Sequence, residues 1–119
     1  MRVKNRLILI DDEREPFMGP GPLWLLQGIR EKHSIRQAAL SIGMSYAKAH
    51  RIIRRLEKAA ERKFCETTIG GEGGGSARLT GYALQFLEAY QELDRKVASY
   101  AESEFAEFLA KINNFERPR

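Results

Sequence analysis

The stretch from His33 to Lys63, HSIRQAALSIGMSYAKAHRIIRRLEKAAERK, constrains this chain more than any other. It reads as a helix, a tight turn at Gly43 and a second helix opening at Ser45. Ser34 is a good N-cap, and Gln37 stands three residues on, the spacing of a capping box. Ile35, Ala38, Ala39 and Ile42 give that helix an inner face whose two alanines admit a close neighbour. Gly43 can take the left-handed conformation that ends it. In the next helix Ala49, Ile52, Ile53, Leu56 and Ala60 fall on one side. Lys48, Arg51, Arg54, Arg55 and Lys58 occupy the rest of its surface. A helix pair whose second member is apolar on one side and cationic on the other has the sequence form of a helix-turn-helix that enters a DNA major groove.

The distribution of charge agrees with that form. Net charge is +4 for the whole chain. Residues 30–63 alone carry ten basic side chains against Glu31, Glu57 and Glu61, a local net of +7. Positive charge is therefore gathered where a nucleic-acid reader needs it. A merely solvated helix face also collects Lys and Arg, but it interleaves Glu at i,i+4 spacing. Here only Glu57 and Glu61 supply that, near the far end.

Other features bound the class. The chain has 119 residues, 43% of them hydrophobic and 30% charged, which suits one modest globular domain. No apolar run approaches the roughly 18 residues of a membrane span. The N-terminus, MRVKNRLILIDDE, is not a signal peptide. The single cysteine, Cys65, excludes an internal disulfide and suits a reducing cytoplasm. With only His33 and His50 beside it, no metal-ligand spacing exists. His33 reads as a dipole partner at a helix C-terminus, and Cys65 as a small buried residue. The acids Asp11, Asp12, Glu13 and Glu15 form a turn cluster without a positioned catalytic partner.

Around the central pair, VKNRLILI and EPF predict a small N-terminal hairpin. Pro22 suits the first turn of a helix running to Lys32, with Leu23, Trp24, Leu25, Leu26 and Ile29 as its buried stripe. Phe64–Ile69 and Ser76–Leu79 predict two strands around GGEGGG. That loop lacks the Lys-Ser/Thr pair of a P-loop and the helix that a dinucleotide fingerprint needs behind it. Its glycines fit a hairpin tip whose backbone approaches phosphates. Thr80 then caps a helix over about 81–112, roughly 45 Å long. Phe86, Tyr90, Leu93, Val97 and Tyr100 form a heptad seam. Past Glu104 the apolar line shifts to Ala101, Phe105, Phe108 and Ile112, as after a four-residue stutter. So long a helix predicts a homodimer through this seam.

GPGPLWLLQGI, then HSIRQAALSIGMSYAKAHRII, then TTIGGEGGGSARLT closely resembles the DNA-binding domain of the ModE family of molybdate-responsive transcriptional regulators, which is related to the LysR-type winged helix. The resemblance covers roughly residues 3–100. It implies a mainly α fold with small β elements: a winged helix-turn-helix with an N-terminal β-hairpin and a long C-terminal dimerisation helix. The segments would be hairpin and turn (1–21), helix-turn-helix and wing (22–80), dimerisation helix (81–112) and tail (113–119). It implies a non-enzymatic dimer on double-stranded DNA at a palindromic operator. Carried onto these residues, Ser45, Tyr46 and Lys48 open the recognition helix, and Gly70 to Gly75 form the wing.

The expected DNA contacts are Arg36, Ser45, Tyr46, Lys48, His50, Arg51, Arg55, Gly73, Gly74 and Arg78. The expected dimer contacts are Phe86, Tyr90, Leu93, Val97, Tyr100, Phe105 and Phe108. His50 departs from the family, which often carries Trp there. The family's molybdate-binding domains have no counterpart within these 119 residues, so no molybdate site and no cofactor is expected in them. The rival reading is a winged-helix adaptor that binds protein without specific DNA binding.

Overall fold

The computed structural model describes residues 1–69 and 75–116. An extended N-terminal segment leads into β1 (Leu9–Ile10), which pairs antiparallel with β2 (Pro16–Met18) across a register shift. The Asp11 carboxylate closes the turn by accepting from the Glu13 and Glu15 amides at 2.8 and 2.9 Å. The first acid of the predicted turn cluster is thus structural.

The first helix, α1, spans Pro20–Lys32 and so starts two residues before the predicted Pro22. Both prolines fit, because the amide of Leu23 makes the first helical bond, to the Gly19 carbonyl at 2.9 Å. Pro20 and Pro22 precede it and lack only donors that would be unpaired anyway. Leu25, Leu26 and Ile29 are buried as predicted, whereas Trp24 is 54% exposed. Leu23 is half-buried against the core, and the indole of Trp24 alone is left on the surface.

The second helix, α2 (Ile35–Ser41), begins at Ser34, whose hydroxyl accepts from the Gln37 amide at 3.1 Å. It crosses α1 where Gly28 meets Ala38. A methyl group at Gly28 would stand 2.9 Å from the Ala38 Cβ, so the approach depends on both small residues. Gly43 has φ +68° and ends α2 in the predicted conformation. The Met44 amide returns to the Ala39 carbonyl at 2.9 Å. The third helix, α3 (Tyr46–Ala60), is capped by Ser45, which accepts from the Lys48 amide at 3.1 Å.

Glu57 joins α3 to the wing: its carboxylate accepts from the Phe64 amide at 2.8 Å. Strands β3 (Cys65–Thr68) and β4 (Ser76–Leu79) pair antiparallel in unbroken register. The wing is fastened to the end of α1 by the Ala77 amide, which donates to the His33 carbonyl at 2.9 Å, while the Thr80 amide extends the hairpin by donating to the Phe64 carbonyl at 2.9 Å. Thr80 also accepts from the Ala83 amide and donates to the Lys63 carbonyl. It thus caps α4 (Gly81–Asn113) while holding that helix to the end of the α3–β3 connection.

One apolar cluster runs from Met18 through Leu26, Ala49, Leu56 and Phe64 to Leu87 and Tyr90. Phe64 lies at its centre, meeting Tyr82 and Phe86 edge-to-face at 5.7 and 5.2 Å. The molecule measures 71 × 28 × 23 Å, and the long dimension reflects α4. Tyr90 is the last buried residue on it among the described residues. The helix continues 23 positions further, to Asn113.

The predicted interface seam therefore needs correction at its N-terminal end. Tyr90 is 4% exposed and its hydroxyl donates to the Leu7 carbonyl at 2.7 Å. Phe86 packs on Phe64 within the same chain. Tyr90 belongs to the core of this chain, and Phe86 is half-buried against it. Beyond Tyr90 the outward apolar residues of the seam begin at Leu93.

Candidate nucleic-acid interface

Helical geometry decides which α3 side chains can act together. Ala49, Ile53 and Leu56 are buried against α1 and α2. At 3.6 residues per turn, the opposite side carries Arg51, Arg54, Arg55 and Lys58, all exposed. Lys48 lies on one edge of that side. The only salt bridge among the described residues joins Lys96 to Glu92 on α4. The α3 cations thus have no carboxylate partner there and stay open to an external polyanion. Sequence reasoning missed Arg54 as a candidate DNA residue, although its spacing from Arg51 and Lys58 puts it on the same side.

Tyr46 and His50 lie on the other edge, toward the wing. The Arg36 guanidinium, from the first turn of α2, sits 4.6 Å from the centre of the Tyr46 ring. The Tyr46 and His50 rings meet edge-on at 4.4 Å and 83°. Ser34, Arg36, Tyr46, His50, Thr68 and Ser76 help line a cleft of about 380 Å³ between the helices and the wing. A planar cation, an imidazole and four hydroxyls around one cleft suit a phosphodiester. Ser45 is already engaged as the α3 cap, so its acceptor capacity is directed to the backbone.

The wing is described in part. Arg78 is exposed on β4, in register with Glu66 on β3, which offsets part of its charge. Gly73 and Gly74 lie outside the described residues. Gly75 lies inside, and a Cβ there would collide with the Thr68 carbonyl oxygen, so a side chain is excluded where the wing strands converge.

On the opposite edge of α3 from the cleft, a second groove of about 310 Å³ runs between the N-terminal strand, the β2–α1 corner and α3. Its lining includes Arg6, Ile8, Phe17, Trp24, Ile52 and Arg55.

Two titratable groups are buried within this chain. Burial, aided by Glu57, pushes the Cys65 thiol up from 9.0 to about 11. Burial, with Asp94 nearby, raises Tyr90 as well.

A helix-turn-helix followed by a two-stranded wing and a long helix defines a winged helix-turn-helix domain. The DNA-binding domain of CbnR, solved in complex with DNA, superposes with a TM-score of 0.56 at 19% identity, covering 72% of this chain and 93% of that one. At that identity the likeness concerns the fold. Sequence comparison gives the lineage. The chain is 34% identical over 95 residues to the transcriptional regulator ModE of Haemophilus influenzae, covering 80% of this chain and 37% of that protein. It is 36% identical over 72 residues to the molybdenum transport protein ModE of Herbaspirillum seropedicae, covering 60% and 27%. It is 32% identical over 87 residues to the DNA-binding transcriptional dual regulator ModE of Escherichia coli K12, covering 73% and 33%. No family model matches the chain. The chain is homologous to the N-terminal DNA-binding region of ModE, a non-enzymatic class of transcription-regulator domain. It spans about a third of the length of the curated relatives it matches.

Proposed function

We propose that this chain is a sequence-specific DNA-binding regulator of transcription that acts in the cytoplasm as a homodimer on a palindromic operator. The observation that carries the reading is the outer side of α3, where Arg51, Arg54, Arg55 and Lys58 are exposed and unpaired among the described residues. An unpaired cationic helix face on a fixed scaffold matches the width and charge of a major groove. The homology to ModE and the fold of the CbnR domain in its DNA complex support the same reading. Arg36, braced on Tyr46, supplies a backbone contact beside the wing. The proposal concerns these residues alone, and their DNA binding is expected not to respond to molybdate directly.

Dimerisation rests on α4 beyond Tyr90. Leu93, Tyr100 and Phe108 are 44, 69 and 49% exposed, an apolar line with nothing over it in the single chain.

Selection of bound duplexes from random DNA by the purified protein tests the reading, followed by affinity measurements across salt. A reproducible twofold-symmetric sequence, with log K falling against log salt at a slope of roughly −5 to −9, is expected for about 6–10 phosphate contacts. Absence of DNA binding at low salt leaves the adaptor reading and ends this one.

A further inference from the structure

The groove beside the N-terminal strand is not accounted for by α3 reading a major groove. Arg6 and Arg55 line it from opposite elements, one from the N-terminal segment and one from α3. Between them the floor is apolar, built from Ile8, Phe17, Ile52 and the half-exposed Trp24. Neither arginine has a carboxylate partner among the described residues. Two arginines facing one groove repel each other unless an anion lies between them. An exposed indole and isoleucine on the floor suit the apolar faces of a sugar chain better than open water.

The N-terminal segment extends the pattern. Arg2, Lys4 and Arg6 alternate along MRVKNR and are all exposed. Three exposed cations thus lie in or just before the part of the segment that lines the groove. The segment is held where it meets the fold: the Leu7 carbonyl accepts the buried Tyr90 hydroxyl at 2.7 Å, and Leu9 pairs with Met18. Arg6 therefore stands next to an anchored residue.

Position identifies the polyanion. Arg55 belongs to the same exposed side of α3 as Arg51, Arg54 and Lys58, so the groove is continuous with the proposed DNA face. It lies on the edge of α3 away from the wing. We propose that this groove holds the DNA sugar-phosphate backbone, with Arg6 and Arg55 on either side of it and Arg2 and Lys4 following the strand outward. The DNA is then held on both edges of α3, by the Arg36 cleft and wing on one and the N-terminal strand on the other. This inference rests on the DNA-binding reading above. An acidic peptide is the other occupant that such a groove fits, and it lacks the continuity with α3.

The test compares wild type, Arg6→Ala, the triple variant Arg2→Ala/Lys4→Ala/Arg6→Ala, and Arg51→Ala. The probes are a duplex selected by the wild-type protein and a scrambled duplex of the same length, at several salt concentrations. All substituted residues are exposed, so the fold should survive, which circular dichroism checks. Arg6→Ala should weaken both duplexes alike, by roughly eightfold at ~0.1 M salt for each phosphate left without its cation, and flatten the salt slope by about one per protomer. The triple variant should flatten it further. Wild-type affinity and slope in both variants, with Arg51→Ala still impaired, overturn the inference, leave the DNA reading standing and make an acidic peptide the next probe. A loss confined to the selected duplex assigns Arg6 to a base edge and overturns the backbone role. If wild type binds neither duplex, the DNA reading itself fails, and the inference with it.

Discussion

The Tyr90 hydroxyl donates to the Leu7 carbonyl at 2.7 Å, joining residues 83 positions apart. That bond ties the N-terminal strand to the first third of α4, at the point where the helix leaves the core. Tyr90→Phe keeps the ring and removes the donor, leaving a part-buried carbonyl unpaired. It should cost about 1 kcal/mol, read as a lower urea midpoint with the slope unchanged. The same variant checks a pH effect. Burial, with Asp94 second, raises the Tyr90 pKa above its ordinary 10.0, so the folded state retains that proton after the unfolded chain has lost it. Stability from this group is full below pH 10 and falls as pH rises beyond it. In Tyr90→Phe that part of the alkaline loss should be missing. An identical alkaline profile in both proteins would show that the hydroxyl is not shielded as described.

Cys65 should behave as an inert thiol. Its pKa stands at about 11 rather than 9.0, chiefly through burial and secondly through the Glu57 carboxylate. At pH 8 a two-unit rise lowers the thiolate fraction about a hundredfold. Reaction with a disulfide reagent should therefore be at least about a hundredfold slower in native than in urea-unfolded protein. The raised pKa also makes stability fall between pH 9 and 11, and Cys65→Ala should remove that component. Fast native labelling at pH 8 would contradict the burial of Cys65 at the start of β3.

Much of the scaffold was legible because it is written in local chemistry. Ser34, Ser45 and Thr80 each cap the helix they were expected to cap. Gly43 takes its left-handed turn, and the wing strands fall within a residue or two of their predicted ends. Other stops carried no such signal. His33 and Glu61 end α1 and α3 at φ 54°, a conformation more usual for Gly or Asn. Periodicity also cannot say which partner covers an apolar face. The seam from Phe86 to Tyr100 has one spacing throughout, yet Tyr90 is buried in the core of this chain and Phe86 is half-buried against it. Trp24 fails for the same reason, since helical spacing tolerates it on the edge of a stripe that packing leaves outside. The stacking of Arg36, Tyr46 and His50 joins residues from two helices and had no sequence signature. The shared groove of Arg6 and Arg55 joins residues 49 positions apart and had none either.

Gly28 and Ala38 offer a packing test. A Cβ at Gly28 would lie 2.9 Å from the Ala38 Cβ and 3.2 Å from its Cα. The second contact is backbone, so α2 must shift. Gly28→Ala gains helix propensity of about 1 kcal/mol, but overpacking costs roughly 1–3 kcal/mol. Net destabilisation is expected, with a parallel loss of DNA affinity because α2 sets the angle of α3. A variant more stable than wild type would mean that the crossing is looser than described.

The exposed part of α4 separates dimerisation from folding. Leu93 is 44% exposed and Val97 half-buried there, so neither supports the core of its own chain. Leu93→Glu with Val97→Glu should give folded monomers with a wild-type core, visible by sedimentation and circular dichroism. Tyr90→Glu should instead unfold the chain. A wild-type monomer at tens of micromolar would remove the basis for a dimer.

The α3 cations should separate reading from holding. Arg51 stands in the second turn, beyond the cap at Ser45 and on the side opposite Ala49 and Ile53. If α3 enters the groove by its N-terminal half, Arg51 reaches base edges, while Arg54 and Lys58 sit progressively nearer the backbone. Arg51→Ala should then cost about 1–3 kcal/mol on selected DNA and much less on scrambled DNA. Lys58→Ala should weaken both equally and flatten the salt slope by about one per protomer. Arg36→Ala should resemble Lys58→Ala. Tyr46→Leu, which removes the ring that braces Arg36, should reproduce most of that loss, and Tyr46→Phe should not. Should Lys58→Ala relax sequence preference while Arg51→Ala leaves it intact, α3 would have to lie in the groove the other way round.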